Sequence, residues 1–319
     1  MVTSYIIKRI LSIIPVLFIV SIIVFLIVHL APGEPASVIL GTNATEKDIL
    51  KLKKELGHDL PLYEQFIYWI KDAVTGDLGN SIYAKKPVVE LFGTYLLPTF
   101  SLTIFAQIIA VLISIPIGVI AAVRRGTFTD QFLMGMSLLG ISIPSFLLGL
   151  FLILIFAVEL NWFSIAGYEP LSNGFIPHIK SLILPALALS LAQAAFIVRM
   201  TRSSMLDVLN HPYIKTARSK GLKEYIVIYK HALRNAFVTI LEVIGQTFAT
   251  LVAGAVVIEF VFNIPGIGQL IVNSIERRDF PVIQGTILLV AVSYVVINLI
   301  IDLLYGVVDP RVRLNRKEG

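Results

Sequence analysis

ILSIIPVLFIVSIIVFLIVHLAPG, residues Ile10–Gly33, contains no Asp, Glu, Lys or Arg in 24 positions. A bilayer's hydrocarbon core takes about 20 apolar residues of helix, so this run is long enough to cross it. Lys8 and Arg9 precede it, as in a secretory signal peptide. The apolar part nevertheless exceeds the usual length of such a leader's core and carries no small-residue cleavage pattern. It is therefore expected to be the first membrane helix.

Five further charge-free runs follow: Leu91–Val123, Gln131–Val158, Ser181–Val198, Val243–Ile258 and Phe280–Ile301. The fifth run of the six is short, and its helix is expected to continue past Glu242 toward Asn235. The runs are continuous rather than alternating in ten-residue segments, which favours helices over a membrane barrel. With 319 residues, 56% hydrophobic and 15% charged, the chain has more apolar surface than one water-soluble core can hide. The expected fold is all-α and integral to the membrane, with about six transmembrane helices and a small external domain after the first.

Charge sets the expected orientation. With the amino terminus placed in the cytoplasm, the short inside segments carry sixteen Lys and Arg against three in the short outside loops. Short loops decide topology, so both termini are assigned to the cytoplasm of a multi-pass cell-membrane protein. The seven bases of residues 31–97 lie in a segment too long to count. The net charge of +5 then reflects contact with the lipid bilayer, and no basic-aromatic motif points to nucleic acid. The organisation expected is a helix at 1–30, an external cap at 31–97, a core membrane domain at 98–308 and a cytoplasmic tail at 309–319. Within the cap, Glu46–Leu56 and Leu62–Val74 look helical, separated by Gly57 and Pro61.

Several kinds of chemistry find no support. No GxxxxGK[ST] loop occurs, and Gly-Lys is absent as a dipeptide, so any ATP and its magnesium must be handled by partner subunits. Cysteine is absent, and His29, His58, His178, His211 and His231 show no metal-ligand spacing. No cofactor and no catalytic residue is expected in this chain. Glu242, Glu259 and Asp302 all fall near the ends of spans, where they make poor mid-membrane ion relays. That weighs against the alternative of an ion-coupled secondary transporter or channel. Gln107, Gln193 and Gln246 are polar residues set within or beside the spans, candidates to line a pathway if the chain forms one, although such residues also bond helices together.

Residues 199–236 form the largest inside loop, with eight bases against Asp207 and Glu224. The fourth membrane helix should run on to Leu209 and break at Asn210-His211. Pro212 suits the first turn of a new short helix, and Gly221 suits its end, where a left-handed residue closes the turn. Tyr213, Ile214 and Ala217 share one face by their spacing, while Lys215, Arg218 and Lys220 lie elsewhere.

This run, KTARSKG at Lys215–Gly221 followed nine residues later by HAL at His231–Leu233, resembles the EAA loop of binding-protein-dependent ABC importer permeases. Ala217 and Gly221 match the motif, while Lys215 and His231 replace its acidic and apolar positions in the manner of the dipeptide, oligopeptide and nickel branch. Other stretches resemble the same branch: FLIVHLAPGEPA at Phe25–Ala36, GDLGNS at Gly76–Ser81 and EFVFNIPGIG at Glu259–Gly268. RDFP at Arg278–Pro281 and DLLYGVVDPRVR at Asp302–Arg313 complete the set.

The resemblance implies a type I importer with a homologous second permease subunit, two cytoplasmic ABC ATPase subunits and an external solute-binding protein. In that assembly Pro212, Tyr213, Ile214, Lys215, Ala217, Arg218, Lys220, Gly221 and Leu222 would form the ATPase-coupling loop. Ala217 would pack on the partner, and Arg218 and Lys220 would make rim contacts. The solutes implied are dipeptides, longer peptides, glutathione, nickel complexes or oligosaccharides.

Overall fold

The computed structural model describes residues 2–30, 40, 45–55 and 59–308. The tail at 309–319, the break at Gly57 and the carboxyl-terminal parts of the Phe25–Ala36 and Asp302–Arg313 matches lie outside the described residues. All regular structure among the described residues is helical apart from one antiparallel bridge, Asn80 to Pro87.

Helix α1 (Val2–Leu30) contains the apolar span Leu11–Leu30. Two shorter helices follow, α2 (Glu46–Glu55) and α3 (Leu62–Thr75), the latter closed by left-handed Gly76 at φ 91°. Helix α4 (Val88–Val123) runs 36 residues with Pro98 and Pro116 inside it. It begins before the boundary drawn at residue 97, so Pro98 lies well within the helix.

Gln131–Val158, expected as one crossing, is two pieces. Helix α5 (Phe128–Ser142) meets α6 (Ser145–Leu152) at a bend of 97°, and α6 continues as a π-helical segment, Ile153–Glu159. Pro144 cannot donate a backbone hydrogen bond to the preceding turn and disfavours helical geometry in Ile143. Accordingly Ile143 is extended, with φ −84° and ψ 121°.

Helix α7 (Phe175–Leu209) contains Pro185 and ends at Asn210; α8 (Pro212–Ser219) begins two residues later. A π-helical segment, Ile226–Leu233, runs into α9 (Arg234–Val261), so the fifth stretch does extend well before Glu242. Helices α10 (Ile267–Glu276) and α11 (Phe280–Val308) complete the described chain. Among the described residues five helices are long and apolar enough to cross a membrane, or six with the bent α5–α6 pair counted as one span.

Helices α4 and α7 form the central pair, sharing the most extensive contact in the molecule. Small residues let their backbones approach, as lipid-embedded packing requires. A Cβ at Gly118 would stand 2.6 Å from the Cβ of Thr201. Ala106, Ala110, Ala121, Ala186, Ala188 and Ala194 are buried along the same helices. Around this pair, Leu102, Leu182, Leu251, Ile258 and Phe262 form a cluster toward the end of the bundle that carries α3. At the opposite end Val119, Met205, Ile214, Val227 and Ile240 form another.

Candidate functional site

At the α8 end, the sequence dictates a short helix held at both edges. His211 is extended (φ −67°, ψ 145°), Pro212 occupies the first turn, and Gly221 is left-handed at φ +75°. The Gly221 amide donates to the carbonyl of Arg218 at 2.9 Å. Ile214 and Ala217 are buried and join Val119, Met205, Val227 and Ile228. Ala217 thus packs inside its own chain and is not available as a partner contact. The reason is register: three residues apart, it lies on the same face as Ile214, and that face seats the helix on the bundle.

Tyr213, Lys215, Arg218, Lys220, Gly221 and Leu222 are exposed. Arg218 is engaged locally, donating from Nη2 to Glu224 at 2.6 Å and from Nε at 3.2 Å. This guanidinium holds the Glu224 carboxyl below its ordinary value, chiefly through the hydrogen bond.

A second feature lies at the same end. Asp130, in the first turn of α5, is 4% exposed and receives both Nε (2.6 Å) and Nη2 (2.7 Å) of Arg202 on α7. The Gly126 amide also donates to it at 2.9 Å. A two-pronged pair of this kind fixes orientation as well as distance. It ties the near limb of the bent pair to α7, two turns before α7 hands over to α8. Sequence reading passed over both residues, because Asp130 merely bounded a charge-free run and Arg202 was one of eight bases in the 199–236 loop.

At the α3 end, three of the matched stretches form two locks. Glu259, at the end of α9, is fully buried and accepts hydrogen bonds from Thr99 Oγ1 (2.5 Å), the Gly268 amide (2.7 Å) and the Gln269 amide (3.3 Å). Thr99 Oγ1 in turn accepts from the Ile267 amide at 2.8 Å. The carboxyl therefore caps α10, whose first amides have no partner within the helix. Gly266 and Gly268 are required by contact: a Cβ at Gly266 would collide with the Glu259 carboxyl, and one at Gly268 with Val256. Asp279 likewise gathers Ser81 Oγ (2.5 Å), the Ile82 amide (3.1 Å) and the Tyr83 amide (3.3 Å), joining Gly76–Ser81 to Arg278–Pro281.

The three glutamines do not form one set. Gln107 is buried and donates to Ile244 O and Thr247 Oγ1, each at 3.2 Å, so it bonds α4 to α9. Beside it a groove of about 270 Å³ is lined by apolar side chains, among them Ile244, Phe248, Ile297 and Ile301. Gln193 is half-buried on α7 and Gln246 exposed on α9, and no hydrogen bond links the three. Among the described residues no group of three or more His, Asp or Glu could hold a metal ion.

The family described as the binding-protein-dependent transport system inner membrane component matches residues 114–314, and its N-terminal component matches residues 1–103. The chain belongs to this family.

Relatives of the permease cover nearly its whole length. A probable peptide ABC transporter permease protein, y4tP, of Sinorhizobium fredii is 43% identical over 97% of this chain and 99% of its own. The glutathione transport system permease proteins GsiC of Shigella flexneri and of Escherichia coli K12 are 44% and 43% identical, again over 97% and 99%. A chain of the MetNI methionine ABC transporter, in an inward-facing conformation, superposes with TM-score 0.58 at 20% identity, over 69% of the permease and 96% of that chain.

The permease is thus a multi-pass inner-membrane translocation subunit of an ABC importer, with the type I fold. It is not an enzyme; ATP hydrolysis resides in partner ATPase subunits, and the family implies a second permease beside it.

Proposed function

We propose that the permease forms, with a homologous second permease, the pathway for peptides and peptide-like solutes of the dipeptide, oligopeptide and glutathione kind. An external solute-binding protein delivers the solute to the α3 end, and two cytoplasmic ATPases, using ATP and magnesium, dock at the α8 end. Both termini and residues 199–236 then face the cytoplasm. The peptide class draws on the relatives named peptide and glutathione permeases.

The observation that carries the coupling assignment is the two-sided character of α8. Ile214 and Ala217 are sunk in the bundle beside Val119, Met205 and Ile240, while Tyr213, Lys215, Arg218 and Lys220 are left outside. A helix seated in this way passes displacement on its outer face directly to α4, α7 and α9. Closure of the ATPase pair would move the bundle between inward-open and outward-open states.

Two substitutions test it. Lys215→Glu together with Lys220→Glu reverses the outer face without touching the seat. Gly221→Val forces a β-branched residue into a left-handed conformation, at about 1–3 kcal/mol. Both should yield membrane-inserted permease that loses its ATPases on purification, or keeps them with ATP turnover no longer tied to peptide uptake. Normal copurification, turnover and uptake in both variants would refute the assignment. Orientation is checked separately: Thr45→Cys should react with an impermeant maleimide in intact cells, and Ser219→Cys only after permeabilisation.

A further inference from the structure

We infer that α3 lies within the bilayer, its exposed apolar stripe resting against lipid acyl chains in the leaflet at the α3 end. The starting observation is depth. Phe66 of α3 sits between two rings of α1, with centroids 6.1 Å from Phe18 and 5.4 Å from Phe25. Trp69, one turn on, lies 5.9 Å from Phe25.

Both partners belong to the span Leu11–Leu30. At 1.5 Å per residue, Phe25 is about 7 Å and Phe18 about 18 Å inside the Leu30 end of that span. A helix whose side chains reach this level cannot be a lid standing clear of the membrane. The level is at or below that of amphipathic helices that lie along a membrane surface, which sink their apolar face by about 5–10 Å.

The pattern around the helix points the same way. Phe66 and Trp69 face α1. Tyr63, Ile67, Ile70 and Val74 form a second stripe at intervals of four, three and four; Ile70 is half-buried, but Tyr63 is 66%, Ile67 57% and Val74 80% exposed. The remaining face carries Glu64, Lys71, Asp72 and Thr75. The apolar sector is therefore wider than α1 can cover, and its uncovered edge adjoins a helix that packs on α11 by one face and leaves Leu11, Ile14, Phe18 and Ile19 exposed on its span. Tyr68 and Trp69 add the aromatic character of a membrane interface. Water would meet the charged face and acyl chains the stripe.

The absence of native cysteine makes the test direct. Tyr63→Cys, Ile67→Cys, Lys71→Cys and Thr75→Cys are introduced singly into the full chain within the assembled transporter. Labelling by a water-soluble maleimide is followed on this chain in permeabilised native membranes. Cysteines at 71 and 75 should react readily, and those at 63 and 67 at least about tenfold more slowly, because an apolar surrounding suppresses the reactive thiolate. A nitroxide attached at 63 or 67 should be relaxed strongly by molecular oxygen, which concentrates among acyl chains and is excluded from a packed protein interface. Equal labelling rates in the membrane would place the stripe in water and overturn the inference. Slow labelling with a nitroxide shielded from oxygen would show a protein cover, such as the second permease, and would overturn it too. Val74→Cys gives the same reading if Tyr63→Cys does not accumulate.

Discussion

Removing the carboxyl of Glu259 should loosen α10 far more than neutralising it. In Glu259→Ala, the Gly268 and Gln269 amides lose their acceptor. Thr99 keeps an alternative, since its hydroxyl lies 3.4 Å from the carbonyl of Tyr95. Two buried amides left without a partner cost about 1–3 kcal/mol each. Glu259→Ala is therefore placed at about 3–5 kcal/mol once the lost side-chain packing is added. In Glu259→Gln, the amide oxygen can stay where Oε2 now serves both backbone donors. The amide nitrogen then faces Thr99 Oγ1, which can accept from it while donating to Tyr95, so the cost falls to about 1 kcal/mol. The assay is hydrogen exchange at residues 267–270 in the purified transporter. If local opening governs exchange, Glu259→Ala should speed it by at least about a hundredfold, the equivalent of nearly 3 kcal/mol, and Glu259→Gln by roughly fivefold. Equal acceleration in the two variants, or none in Glu259→Ala, would refute the capping role.

The Asp130–Arg202 pair should show a coupling energy of about 2–4 kcal/mol in a double-mutant cycle of Asp130→Ala and Arg202→Ala, read from the thermal stability of the purified complex; simple additivity would remove it as a link between α5 and α7. Gly118→Val should destabilise the α4–α7 crossing by about 1–3 kcal/mol through overpacking on Thr201. Gly135→Val is the control, since a Cβ at Gly135 meets nothing within 4 Å. Comparable losses in the two would discount the close approach.

Much of this architecture was legible because the bilayer imposes a length on anything that crosses it. Charge-free runs found every crossing, and the Asn210-His211-Pro212 and Gly221 signals found α8. A charge count carries no information on backbone direction, however, so the bend at Ile143-Pro144 passed unseen even with its proline in view. Glu259 was readable as a residue near a helix end. Its role depends on Thr99, 160 positions away, and on glycines whose missing side chains make room for a carboxyl. Gln107 had two readings in sequence, pathway or interhelical bond, and its partners on α9 favour the second. Ala217 was placed on the correct helix with the wrong neighbour, since spacing identifies a shared face but not what covers it.

The 97° bend between α5 and α6 has a mechanical consequence. Each limb holds 15 residues, Phe128–Ser142 and Ser145–Glu159, and so measures about 22 Å. Tilted equally, by about 48° each, the limbs together rise roughly 30 Å, the thickness of the hydrocarbon core. At that setting height is steeply dependent on angle, and opening the elbow by about 10° lifts one end relative to the other by about 3 Å, two residues of helical rise. A straight helix gains nothing comparable without stretching its hydrogen bonds. The jointed crossing is a telescoping strut, able to trade angle for reach while each half keeps its internal ladder intact.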